Sequence, residues 1–192
     1  MSCKRRIFLF VVGALLTSQL VLPATAQAEP LGPLHNLVDV AAQRLATADP
    51  VAAFKWIDGG PITDPQRAGQ VLDAVAADAD THGIDRQYVR TIFTEQIAAT
   101  EGIEYTRFGQ WKFDPASAPT TAPDLSQSRS AIDEFNRSMV DEIALHWNSL
   151  HSPSCETDLA GAIDAVAAER QLDVLYRQAL STATRSYCGI RP

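Results

Sequence analysis

The chain has 192 residues, 46% of them hydrophobic, with 23 acidic against 16 basic side chains. Its net charge of −7 argues against a nucleic-acid-binding protein and against one that binds anionic membranes. The length is sufficient for a single domain with a sizeable core.

The first 28 residues have the pattern of a secretory signal peptide. A basic start at residues 4–6 precedes a long apolar run, and residues 26–28, Ala-Gln-Ala, form a small-residue cleavage site. We therefore predict a cleaved signal peptide, a secreted or periplasmic protein with no membrane association after cleavage, and one mature domain over residues 29–192. A retained membrane anchor is the alternative, but polar residues interrupt the apolar run before it reaches the length of a membrane span.

Two cysteines remain once the signal peptide is removed. Cys155 and Cys188 lie in the C-terminal part of the chain. Because exported proteins fold under oxidising conditions, we predict that they form one disulfide that closes this segment. The histidines show no metal-ligand spacing with the cysteines, and we expect no metal site.

The mature chain lacks a convincing alternating β pattern and is rich in helix-forming residues, so we predict an all-α fold. The expected architecture is a single-domain bundle of about six helices, with the C-terminal helix pair closed by the disulfide. The first helix is expected to kink or restart near residue 50. The predicted helices cover residues 33–56, 64–82, 85–112, 124–150, 156–170 and 172–187.

Helix boundaries are marked by capping residues and prolines. Asp49 and Asp64 each precede a proline, which predicts an N-cap followed by proline at the first helical position. Gly83 is placed to end one helix, and Asp85 to cap the next. The proline-rich residues 113–123 cannot sustain a helix, and we predict a loop there.

Four cations lie on helical faces that are otherwise apolar. Since a buried charge costs several kcal/mol unless it is paired, these cations need carboxylates or an anionic ligand. Only two carboxyls, Asp64 and Glu104, are predicted to point inward with them. The excess positive charge predicts a pocket for a small dianion. The inward cations are Arg44, Lys55, Arg67 and Arg129.

Thr100 and Glu104 interrupt the apolar stripe of the longest predicted helix, one turn apart on the same side. Each has a purely structural alternative. Thr100 could bond back to its own helix, Glu104 could pair with Arg44 or Arg129, and Arg129 could form an inner-face ion pair or extend to solvent. Considered together, they instead line the predicted pocket.

At these positions the sequence resembles the all-helical AroQ-class chorismate mutases. The resemblance is carried by Lys55, by PITDPQR at residues 61–67 and by GIDxxYVxxIF at residues 83–93. The interval of nine residues from Lys55 to Asp64 is the family's spacing. The signal peptide, the segment APDLSQSRSAID and the cysteine-bracketed C-terminal helices resemble the exported gamma subclass.

The resemblance implies a cofactor-free isomerase that converts chorismate to prephenate by a Claisen rearrangement. It implies catalytic helices over residues 33–150, followed by a C-terminal helix pair over residues 151–192. It also implies a homodimer in which each pocket is built within one chain.

The family's pocket cations match residues of this chain position by position. Arg44 and Arg129 match the arginines that bind the substrate's carboxylates. Lys55 matches the lysine that contacts the ether oxygen and a carboxylate, and Arg67 matches an arginine at the ring side of the pocket.

The remaining matches are polar or acidic. Asp64 corresponds to the acidic residue near the substrate hydroxyl, Thr100 to a hydroxyl residue, and Glu104 to the catalytic Gln or Glu one turn later. One position departs from the pattern, because Val71 stands where exported relatives can carry a glutamine. Either the neighbouring Gln70 reaches the substrate through a small helix rotation, or this contact is absent.

The runner-up hypothesis is an exported helical bundle that binds a small dianion or a protein partner and has lost the chemistry. A decayed site should lose Lys55 or an arginine first, and all are present. A purely structural bundle would leave the inward cations unexplained.

Overall fold

The computed structural model describes residues 32–189, so the predicted signal peptide, residues 1–28, lies outside the described part. Within it the chain forms helices and turns, with no strand. The prediction of an all-α bundle is confirmed. The helices are α1 His35–Ala46, α2 Ala48–Asp58, α3 Pro65–His82, α4 Arg86–Phe113, α5 Leu125–Leu145, the single turn α6 Trp147–Leu150, α7 Cys155–Glu169 and α8 Val174–Ala183.

The predicted first helix is present as two segments joined at Thr47. The Thr47 hydroxyl donates to the Arg44 carbonyl at 2.7 Å, which satisfies a backbone group at the end of α1. The prediction that Asp49 caps the second segment is wrong, because α2 already begins at Ala48. A proline in the first helical turn removes no intrahelical hydrogen bond, so Pro50 does not delay the start.

The other predicted aspartate caps are confirmed. The Asp64 carboxylate accepts from the Arg67 backbone N–H at 2.9 Å, and the Asp85 carboxylate accepts from the Tyr88 N–H at 2.6 Å. Gly83 ends α3 with φ of 66°, in the left-handed region that glycine adopts without strain. These caps set where α3 and α4 begin, and therefore which residues face the bundle interior.

The core forms around α1, whose apolar face is fully buried. Helix α1 packs against α4, α5, α7 and α8, while α4 packs along α2, α3 and α8. Large side chains such as Leu37, Phe93 and Ile143 fill the space between them. No helix in residues 32–189 is both long and apolar enough to cross a membrane.

The C-terminal helix pair is closed by the predicted disulfide between Cys155 and Cys188. Helix α8 ends at Ala183, four residues earlier than predicted, and a turn then leads to the disulfide. The predicted helix 124–150 is divided at His146, where the chain bends before α6. Tyr187 is fully buried next to the disulfide, so the C-terminal turn is part of the core.

Candidate active site

A pocket opens between the first five helices. Helix α1 contributes one residue, and the others come from α2, the loop before α3, α3 itself, α4 and α5. The pocket contains seven of the eight residues predicted to bind or transform a substrate. Its lining is Arg44, Val51, Lys55, Ile62, Asp64, Arg67, Ala68, Val71, Ile97, Thr100, Glu101, Glu104, Leu125, Arg129 and Ile132.

Lys55 and Glu104 form the most enclosed ion pair of the pocket. The Lys55 ammonium donates to the Glu104 carboxylate at 2.8 Å and to the Ile62 carbonyl at 2.8 Å. The Glu104 side chain is 3% exposed, and burial raises its pKa above the ordinary value although Lys55 acts in the opposite direction. Burial thus favours a protonated Glu104, which can donate a hydrogen bond.

Arg44 is a buried cation at the back of the pocket. It is 4% exposed, and burial lowers its pKa to about 10, so it stays charged at neutral pH. Within residues 32–189 its side chain contacts no carboxylate at ion-pair distance. It donates instead to the amide oxygen of Asn136 at 2.7 Å and to the Thr100 hydroxyl at 3.3 Å. Among the described residues, this buried charge therefore has no carboxylate in direct contact.

Thr100 connects Arg44 to its own helix. Its hydroxyl donates to the Gln96 carbonyl at 2.9 Å, the back-bonded geometry considered as the structural alternative, while also accepting from Arg44. The Arg44 guanidinium also lies over the Phe93 ring, 5.9 Å from its centroid. These contacts fix the guanidinium plane against the pocket wall.

Arg67 forms an ion pair with a carboxylate that was not predicted from the sequence. Its guanidinium donates to Asp133 on α5 at 2.6 Å, whereas Asp64 accepts from the Arg67 backbone N–H as the cap of α3. The Arg67 side chain is 29% exposed, whereas Arg44 is buried. Asp64 is half-buried and lines the same part of the pocket.

Arg129 reaches the pocket from α5 and is exposed. In the part of the chain that the structure describes, its side chain makes no ion pair or hydrogen bond with protein. The four predicted cations therefore come together and divide into two kinds. Lys55 and Arg67 contact carboxylates, whereas Arg44 and Arg129 do not.

The structure does not bring Gln70 into the pocket. Val71 lines the pocket and is 5% exposed, while Gln70 is exposed and lines a neighbouring groove between α3 and α5. Consecutive residues of a helix point about 100° apart, so the register set by the Asp64 cap places only one of them inward. The small rotation considered from the sequence is not present.

Two residues that contact the pocket arginines were not predicted. Asp133 and Asn136 follow Arg129 by four and seven residues, so all three share one face of α5. That spacing was the available signal in the sequence. It would have placed them beside the pocket without saying which arginine each one meets.

Known proteins share this arrangement of sequence and fold. The family model described as chorismate mutase type II matches residues 35–105. The chain is 58% identical over 163 residues to the "Secreted chorismate mutase" of Mycolicibacterium smegmatis, a match that covers 85% of this chain and 90% of that relative. The chain belongs to the chorismate mutase family. The Mycobacterium tuberculosis protein of the same name is 50% identical over 170 residues, 88% of this chain and 85% of that relative.

Solved structures of chorismate mutases have the same fold. The Burkholderia phymatum enzyme superposes with a TM-score of 0.77 at 31% identity, covering 81% of this chain and 96% of that one. The Burkholderia thailandensis enzyme gives the same TM-score at 35% identity. The predictions of a chorismate mutase, hence an isomerase, and of export are confirmed at the level of the family and its secreted relatives.

Proposed function

We propose that this pocket binds chorismate and rearranges it to prephenate, with Arg44 and Arg129 as the partners of its two carboxylates. The observation that carries the assignment is Arg44, a buried cation that lines the pocket and has no carboxylate partner among the described residues. Burying this charge costs free energy, and an anion that enters the pocket and pairs with Arg44 offsets that cost. A dicarboxylate that meets Arg44 at one end and Arg129 at the other satisfies both.

The arginine pair selects a conformer of the substrate. The rearrangement is unimolecular and needs the enolpyruvyl side chain folded over the ring, so that its methylene carbon can bond to the ring as the ether C–O bond breaks. Two carboxylates bound at fixed positions by guanidinium groups favour this compact conformer over extended ones. The chemistry needs no nucleophile, metal or redox group, and we propose that no cofactor takes part.

Lys55 and Glu104 stabilise the charge that develops on the ether oxygen. The Lys55 ammonium is held by the Ile62 carbonyl as well as by Glu104, so its position does not depend on the substrate. A protonated Glu104 would donate a second hydrogen bond, and its raised pKa supports that form. Removal of one such preorganised donor typically costs about 3–4 kcal/mol of transition-state stabilisation.

Asp64 and Arg67 form the hydroxyl and ring side of the pocket. Asp64 is held in place as the cap of α3, and Arg67 is held by Asp133. Thr100 orients Arg44 through its hydroxyl. Val71 makes this wall apolar and Gln70 lines a neighbouring groove, so we assign no substrate contact to Gln70.

We further propose that the protein is a homodimer whose pockets are each complete within one chain. The family resemblance supports the dimer, and the second part is supported by the pocket of a single chain, which already brings together seven of the eight predicted site residues. Sedimentation equilibrium of residues 29–192 tests the assembly. A species of twice the chain mass is expected, and a monomer that turns over chorismate would leave the pocket assignment intact while removing the dimer.

Product identification tests the activity directly. Purified, oxidised residues 29–192 should consume chorismate, followed by its ultraviolet absorbance, with prephenate as the product in proton NMR. Arg129→Ala should weaken chorismate binding because it removes one carboxylate partner, and Lys55→Ala should mainly lower kcat. A folded, helical protein that leaves chorismate at its uncatalysed rate would instead favour the dianion-binding alternative.

A further inference from the structure

One face of α5 carries one pocket arginine and contacts two others. Arg129, Asp133 and Asn136 lie at intervals of four and three residues, which stacks them on one side of the helix. Arg129 lines the pocket itself, Asp133 accepts from Arg67 at 2.6 Å, and Asn136 accepts from Arg44 Nε at 2.7 Å. A single helix therefore orients two arginines that other helices supply.

The two acceptors differ in charge. Arg67, which is partly exposed, receives a carboxylate, whereas the fully enclosed Arg44 receives a neutral amide. An aspartate at residue 136 would have nearly the same shape and could accept the same hydrogen bond. It would also neutralise the buried guanidinium, and ion pairing is strongest where water is excluded.

The amide leaves part of the guanidinium available. An arginine side chain has five N–H donors in one plane. Asn136 receives the Nε donor and Thr100 receives one from Nη1, while Phe93 lies against the guanidinium. These contacts fix the plane, and the remaining donors and the full positive charge stay available to a ligand.

We propose that Asn136 is a positioning residue whose neutrality keeps Arg44 free to act as the counterion of a substrate carboxylate. This inference rests on the proposed assignment of Arg44 to that carboxylate. On this proposal, the side chain at residue 136 needs two properties: an acceptor oxygen that orients the Nε of Arg44, and no negative charge. A residue that served only to satisfy a buried donor would need the first property alone.

Asn136→Asp separates these two roles. The variant keeps the acceptor and adds the charge, so the free protein should melt at the wild-type temperature or above. The KM for chorismate and the inhibition constant of prephenate should both rise tenfold or more, with a smaller change in kcat. Wild-type KM and inhibition constant in the folded variant would overturn the proposal.

The matched control is Gln127→Glu, the same amide-to-carboxylate change at an exposed site of α5 outside the pocket lining. It adds one negative charge to the same helix, so a general loss of dianion affinity would appear there too. We expect wild-type KM in this control. A rise equal to that of Asn136→Asp would overturn the specific role of residue 136.

A second variant covers the case in which Asn136→Asp does not fold. Asn136→Ala removes the acceptor without adding charge and should lower kcat/KM at least tenfold through loss of orientation. Wild-type kcat/KM in folded Asn136→Ala would overturn the positioning role. Arg44→Ala, assayed in parallel, distinguishes the two levels of argument. If it keeps wild-type kcat/KM, the assignment of Arg44 fails, whereas an impaired Arg44→Ala beside unimpaired Asn136 variants refutes only the inference.

Discussion

The charge state of the free pocket depends on a few side chains. Lys55 and Arg67 contact carboxylates, while Arg44 contacts an amide and a hydroxyl. Neither of these two hydrogen-bond acceptors, Asn136 and Thr100, carries a negative charge. A substrate carboxylate that reaches Arg44 therefore replaces an uncompensated buried charge with a charge-assisted pair, and this difference favours binding of a dianion.

The raised pKa of Glu104 leads to a prediction of how activity depends on pH. Burial raises its pKa, and the carboxyl can donate to the ether oxygen only when protonated. We expect kcat/KM for chorismate to fall as pH rises through the pKa of Glu104, and Glu104→Gln to flatten that part of the profile because an amide donates at every pH. An unchanged profile in the variant would contradict this role.

The same group predicts how stability depends on pH. Because its folded-state pKa lies above its ordinary value, Glu104 contributes most to stability below that ordinary value, and the contribution is lost as pH rises through the folded-state pKa. Urea unfolding of wild type and Glu104→Gln across this range measures the difference. Equal pH dependence of the two unfolding free energies would show that burial does not shift this carboxyl.

Helical periodicity predicts which residues face inward but not what they meet there. It placed Lys55, Arg67 and Glu104 in the pocket, yet it suggested Arg44 or Arg129 as the partner of Glu104. The structure pairs Glu104 with Lys55 instead. Cross-helix contacts depend on axial offset and crossing angle, which a pattern along one helix does not contain. For the same reason, the spacing of Asp133 and Asn136 along α5 does not say which arginine each one contacts.

At the scale of helices, two N-caps of the same type allow a matched comparison. Asp64 and Asp85 each accept one backbone N–H three residues later, but only Asp64 lines the pocket. Asp64→Ala and Asp85→Ala should each reduce the free energy of unfolding by about 1 kcal/mol. Only Asp64→Ala should also lower kcat/KM for chorismate. If both variants have the same kcat/KM, Asp64 serves only as the N-cap of α3 and does not contribute to substrate binding.

Helix boundaries were predictable where a local side chain determines them. Asp64, Gly83 and Asp85 end or begin helices through contacts within a few residues, which the sequence displays. The junction at Thr47 and the early end of α8 depend on how the segments pack on the core. Such tertiary effects override local signals.

At the scale of the whole molecule, the C-terminal helix pair supports the helices that carry the site. Helix α7 packs on α1 and α8 packs on α4, which hold Arg44 and Glu104 respectively. The disulfide links the start of α7 to the turn after α8, and Tyr187 anchors that turn in the core. None of the described residues of the pair lines the pocket, so the pair is connected to the site through its packing on α1 and α4.

Removal of the disulfide should therefore affect stability more than activity. The bond joins residues separated by 33 positions. A loop of this size predicts a loss of about 3–4 kcal/mol for Cys155→Ala/Cys188→Ala, roughly a 10 °C lower melting temperature. Activity at 25 °C should change little. The melting temperature of the variant is compared with that of wild type, measured with and without reductant. A variant that melts at the same temperature as oxidised wild type would contradict the stabilising role of the disulfide.

The most direct test of the pocket assignment is the kcat/KM for chorismate of Arg44→Ala against wild type. Arg90→Ala, which breaks the surface pair with Asp73, is the matched control, since such exposed pairs contribute only ~0–1 kcal/mol. We predict a loss of roughly 10²- to 5 × 10³-fold for folded Arg44→Ala, as expected for removing a buried charge partner worth ~3–5 kcal/mol, and none for Arg90→Ala. Wild-type kcat/KM in Arg44→Ala would contradict the assignment.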